Sequence, residues 1–198
     1  VTRISIDHAI NGSTYTTARA IGADQVWCGR ATGAPVVGAG ITVAMIDSGI
    51  SENADLPAFF KVLKHVSFNG SSASDDYGHG THVAGIISGS GMNSNAITTS
   101  FPQQFKGIAP SAFLLDLKVL DGTGSGSTSA VISALDWCVS NKTKYNIRVI
   151  NLSLGHPVFE SYKTDPLCQA VERSVNADIV VVVAAGNFGK GTDGSVVY

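Results

Sequence analysis

Four short apolar runs, at 41–47 (ITVAMID), 112–120 (AFLLDLKVL), 148–153 (RVINLS) and 178–185 (DIVVVVAA), recur along the chain with helical segments between them. Runs this short read as strands. A strand, helix, strand, helix order points to a parallel sheet, because each parallel strand must be reached by a crossover. The helices are expected at 79–88, opened by Gly-His-Gly, at 127–141, and at 166–177 with Pro166 in the first turn. The unbroken apolar character of AMI and VVVVAA suits strands covered on both faces. The expected fold is an α/β doubly wound parallel sheet with helices on both faces. Residues 31–40 and 89–104 lack periodicity and read as surface loops, and the N-terminal arm is likewise nonperiodic. No repeat and no interior domain boundary stands out.

With 198 residues the chain can bury a sizeable core, and only 14% of them are charged. Thirteen Lys and Arg against fifteen Asp and Glu give a net charge of -2, with no run of like charge. Nothing there supports a grip on nucleic acid or on an anionic membrane. Mean hydropathy is +0.20, yet the longest apolar run, 179–185, falls far short of the ~20 residues a spanning helix needs. Cys28, Cys138 and Cys168 share no metal-binding spacing and read as buried free thiols, with a Cys138–Cys168 bridge as the alternative.

Sites in an open parallel sheet form outside the carboxyl ends of the strands. There stand Asp47-Ser48-Gly49, the run 121–126 (DGTGSG), Ser153-Leu154-Gly155, and Ala185-Gly186-Asn187, each a polar group or bare backbone beside glycine. A further cluster, 78–85 (GHGTHVAG), puts His79 at a helix N-terminus between two glycines that clear space around the ring. Asp47 follows three apolar residues, so its carboxylate starts in a partly dry site and needs a donor, for which His79 is the natural candidate. The positive end of the helix dipole disfavours imidazolium, while a carboxylate opposes that and fixes the tautomer. Together they would form an oriented general base, about 2.6–3.2 Å apart. The plainer alternative is a capping histidine and an unrelated aspartate. Gly122, Gly124 and Gly126 do not make the dinucleotide fingerprint G-x-G-x-x-G, because positions 127 and 129 are serine.

AMIDSGI, GHGTHVAGI, NLSLG and VVVAAGN, in that order, resemble the subtilisin-like serine peptidases, the subtilases, over roughly 40–187. The resemblance implies a serine endopeptidase acting through an acyl-enzyme, with Asp47 as triad carboxylate, His79 as general base and Asn187 as oxyanion donor. It makes Gly124, Ser125 and Gly126 an edge that pairs with extended substrate. Ser153, Leu154 and Gly155 become one wall of the pocket for the residue before the scissile bond, and Ala185 with Gly186 the other; His156 stands where many relatives carry glycine. A polypeptide substrate, secretion, no catalytic cofactor and a structural calcium are also implied. For calcium, Asp55 matches one ligand position, although the loop at 89–105 is longer than usual. His82 is expected in a hydrogen-bonded core role, and His8, His65 and His156 as ordinary surface or loop residues. A zinc site built from His79, His82 and Asp75 or Asp76 competes, but its histidines are three apart without the intervening Glu of the usual helical pair.

The family's nucleophile stands in a Gly-Thr-Ser-Met-Ala type motif after the oxyanion asparagine, and these residues contain none. In the nearest imitation, 126–130, Ser127 reads as a helix cap. The expectation is a subtilisin-like fold incomplete at its C-terminus: residues 21–198 as the N-terminal part of the catalytic domain, inactive alone, its partner the remainder of that domain or a propeptide. Residues 1–20 are expected to be an N-terminal arm with a propeptide remnant, because 1–10 (VTRISIDHAI) resembles the last strand of a propeptide. The alternative function is a noncatalytic peptide-binding relative that keeps the cleft without the serine.

Overall fold

The computed structural model describes residues 14–94 and 104–186. In chain order the elements are α1 (Thr14–Ala20), α2 (Ala23–Trp27), β1 (Thr42–Asp47), β2 (Val62–Ser67), α3 (His79–Ser88), β3 (Phe113–Lys118), α4 (Thr128–Tyr145), β4 (Ile147–Leu152), α5 (Pro166–Asn176) and β5 (Val180–Val183). The strands form one sheet in the order β2-β3-β1-β4-β5, every pairing parallel.

Strand β1 lies at the centre and is buried at all six positions, as its apolar run predicts for a strand covered on both sides. Its side chains alternate between two cores. Ala44 and Ile46 join Leu115, Leu117, Ile150 and the apolar residues of α4 and α5, whereas Val43 and Met45 join Leu56, Leu114 and Ala84 of α3. Helices therefore cover both faces, as expected for a doubly wound sheet. Two of them carry side-chain caps. Ser127 accepts from the Ala130 amide to open α4, and Asp165 accepts from the Cys168 amide to open α5, with Pro166 in the first turn.

The structure departs from the sequence reading in four places. Strand β2 is not among the expected strands: Lys64 and His65 break its apolar pattern, and it gains its place by pairing with β3. The arm from residue 14 onward is helical, and Trp27 Nε1 donates to the Ile108 carbonyl at 2.8 Å, tying it to the domain. Strand β5 is covered on one side only; Val180 and Val182, 61% and 50% exposed, share the open face, while Val181 packs toward the core that α5 joins. Of the three cysteines, all free, only Cys138 is buried. The capping by Ser127 agrees with expectation. Residues 1–10 lie outside the described residues, so the propeptide-like strand and His8 do too. Among the described residues no helix is long and apolar enough to cross a membrane.

Candidate active site

The carboxyl ends of β1, β3 and β4 lie side by side, with β1 in the middle. Asp47, the last residue of β1, is 1% exposed, and its main-chain oxygen accepts from the Val119 amide at 2.8 Å, which fixes the strand end against β3. Its buried carboxylate needs donors. It finds them in the Ser48 amide, 2.7 Å from Oδ1, and in His79 Nδ1, 2.8 Å from Oδ1 and 3.0 Å from Oδ2. A carboxylate only accepts, so Nδ1 carries a proton, and in the neutral imidazole Nε2 is the acceptor. The His79 side chain is 40% exposed, and Nε2 has no hydrogen-bond partner among the described residues. The imidazole is thus anchored at one nitrogen and open at the other.

His79 lines a cleft of about 390 Å³ together with Tyr77, Leu120, Gly124, Ser125, Gly126, Ser153, Leu154 and Gly155. Two chain segments far apart in sequence, 124–126 and 153–155, thus meet around one histidine. Asp121 shapes the first of them: its Oδ1 accepts from the amides of Thr123 and Ser125, at 2.8 and 3.1 Å, closing a tight turn. Two features favour glycine at 124, its positive φ and the nearness of the exposed Tyr77 side chain. Its φ is 78°, and a Cβ there would strike the Tyr77 ring at 2.6 Å.

Ala185 and Gly186, expected as the second wall, do not line this cleft. They follow β5, where the Ala184 amide donates to the Leu152 carbonyl at 3.0 Å, and Ala184 with Val183 borders a neighbouring cavity of about 430 Å³. The two cavities share Leu154, Gly155, His156 and Leu167. Asn187 lies outside the described residues.

Other expectations are corrected. At Gly80 the absence of a Cβ lets the helix meet the Gly49 turn, and Gly78 takes a φ of 92°. His82 is exposed and makes no side-chain hydrogen bond among the described residues, so it is not a core residue. His65 is no ordinary surface residue either: Nδ1 bonds Asp116 at 2.7 Å and Nε2 bonds Glu52 at 2.9 Å. The hydrogen bond to buried Asp116 raises the His65 pKa above its ordinary value. Sequence pattern gave no hint of this pair, because Asp116 reads as an interruption of an apolar strand.

Among the described residues no three His, Cys, Asp or Glu side chains group as metal ligands, which leaves the zinc alternative without a donor set. Asp55 Oδ1 accepts from the Asn93 amide at 3.0 Å and the Ser90 hydroxyl at 3.2 Å.

A model of the Subtilase family matches residues 38–198. The chain is similar to Serine protease AprX of Bacillus subtilis (strain 168), 36% identical over 166 residues that cover 79% of this chain and 35% of that protein. It is similar to Subtilisin E of the same strain, 39% identical over 164 residues, covering 81% and 38%. A solved structure described as a cold adapted subtilisin-like serine proteinase superposes with a TM-score of 0.60 at 30% identity, covering 80% of this chain and 51% of that one. The chain spans between about a third and a half of the length of these relatives.

Proposed function

The chain belongs to the subtilase family, and from that premise we propose that it forms part of a serine endopeptidase in which His79 is the general base, Asp47 its orienting carboxylate, and the nucleophilic serine comes from outside these 198 residues. One observation carries the reading: a histidine bonded to a buried carboxylate through Nδ1, with its opposite edge facing a cleft. In the proposed reaction Nε2 takes the serine proton as the oxygen attacks the peptide carbonyl, and Asp47 stabilises the imidazolium that results. Asn187 donates its side-chain amide to the oxyanion. His79 then protonates the leaving amine, and a water molecule repeats the sequence to hydrolyse the acyl-enzyme.

Polypeptide is the proposed substrate. Gly124, Ser125 and Gly126 pair with its extended backbone by strand addition, and Ser153, Leu154 and Gly155 hold the residue before the cut. By likeness to the family, residues 21–198 belong to the catalytic domain and the protein is secreted.

The test uses the full-length protein on a peptide substrate. Hydrolysis should be abolished by a serine-directed inhibitor, retained in chelator, and lost in His79→Ala. Hydrolysis that survives the inhibitor or the substitution would refute the reading. The 198-residue piece alone should turn over no peptide.

A further inference from the structure

Helix α3 starts without a capping side chain of its own. Its N-cap is Gly78, at φ 92° and ψ -14°, yet the first amides of any helix lack intrahelical acceptors. Asp75 and Ser48 supply them. Asp75 Oδ1 accepts from the Gly78 amide at 2.8 Å and the Tyr77 amide at 3.3 Å, and Oδ2 accepts from the Thr81 amide at 2.8 Å and the Thr81 hydroxyl at 2.5 Å. Ser48, fully buried and next to Asp47, accepts from the Gly80 amide at 2.9 Å and donates to Asp75 Oδ1 at 2.8 Å. The amides on both sides of His79 are thereby fixed, and its ring is left to Asp47.

We propose that Asp75 is a positioning residue for the His79 base: as a carboxylate it caps α3 in place of Gly78 and, through the Ser48 hydroxyl, locks the start of that helix to the end of β1. Every donor aimed at Asp75 meets an acceptor-only group. An amide in its place would turn an NH2 toward N–H or O–H donors and forfeit one side of the arrangement. The negative charge also complements the helix N-terminus, where imidazolium is otherwise disfavoured. Burial alone would raise the Asp75 pKa, but the bonds from Thr81, Gly78 and Ser48 together hold it below its ordinary value. The charged and titratable groups around this helix start are Asp47 of β1, Asp75, Asp76 and Tyr77 of the preceding loop, His82 one turn on, Asp116 of β3, which feels the Asp75 charge, and Lys118 of β3, which pairs with Asp76 at 3.2 Å.

The kinetic consequence rests on the peptidase reading, and the structural one on this geometry alone. The experiment is Asp75→Asn in the full-length protein, with kcat and KM read separately, the low-field Nδ1–H proton of His79 followed by NMR, and thermal unfolding in parallel. Expected are a fall in kcat of about 10- to 100-fold, the scale of a small misplacement of a reacting group, a KM changed less than about threefold, and a shifted or exchange-broadened Nδ1–H signal. A variant that melts earlier yet keeps both kcat and the Nδ1–H signal would overturn the proposal. Should Asp75→Asn fail to fold, Thr81→Val against Thr81→Ser decides: the serine, which keeps the hydroxyl, restores what the valine loses, and equal kcat in the two would refute the role. A wild type that turns over no peptide refutes the peptidase reading, and the Nδ1–H signal still decides for Asp75: unchanged in Asp75→Asn, it overturns the positioning role.

Discussion

A side chain on Gly80 would overlap the carbonyl oxygen of Gly49, and would also come within 3.1 Å of the Gly49 amide and 3.2 Å of Asp47 Oδ1. Helix α3 therefore rests backbone to backbone on the turn that ends β1, and that close approach lets the imidazole of His79 reach the Asp47 carboxylate at 2.8 Å.

Gly80→Ala should consequently cost more than Gly78→Ala. At Gly80 the obstacle is main chain, which cannot rotate away, so the loss should exceed the ~1–3 kcal/mol typical of overpacking. At Gly78 no atom beyond the chain neighbours lies within 4 Å of the added methyl, and the positive φ sets the cost, at about 1–2 kcal/mol. Urea unfolding of the two variants measures the difference, and an equal loss would show that α3 is free to lift.

Much of this site is legible in the chain because its logic is local. AMID ends a buried strand in a carboxylate, GHGTH opens a helix with a histidine, and an acid that dry needs a donor. What is not legible depends on pairing across the fold. Asp75 looks like one polar residue among many until Gly78 is seen to lack a cap, and glycine at an N-cap is the signal that could have found it. Asp116 and His65 interrupt their strands and make sense only once β2 lies beside β3. The valines of β5 mislead for the opposite reason: an apolar run states a need for cover, and α5 provides it on one face only.

Stability should respond to pH through His65. Its hydrogen bond to Asp116, joined by one to Glu52, raises the native pKa above the ordinary value of 6.5. A raised native value means stabilisation that is complete below about pH 6.5 and declines as pH rises through the native value. Burial also raises the Asp116 pKa above its ordinary 3.8, so its contribution likewise declines with rising pH. Asp75, held low, acts in the other sense, and its contribution is lost as pH falls. Melting temperature followed across pH 5 to 9 should fall on the alkaline side in the wild type and fall less in His65→Gln. Identical profiles would contradict the assignment.

The three cysteines should differ in reactivity. Burial pushes the Cys138 thiol up to about 12, while Cys28 and Cys168 are exposed. Desolvation, with Asp165 nearby, also raises the Cys168 pKa. Because the thiolate is the nucleophile, a thiol reagent applied to the native protein should modify Cys28 first, Cys168 more slowly, and Cys138 only on unfolding. Peptide mapping of the modified sites measures the order; early modification of Cys138 would mean that α4 is not packed as described.

The most direct test of the central claim is the rate at which a fluorophosphonate probe labels the full-length protein, compared with Asp47→Asn and His79→Ala. If Asp47 and His79 activate a serine, the wild type labels at one serine outside residues 1–198 and both variants slow by more than about a hundredfold. Labelling of all three at one rate, or of none, would contradict it.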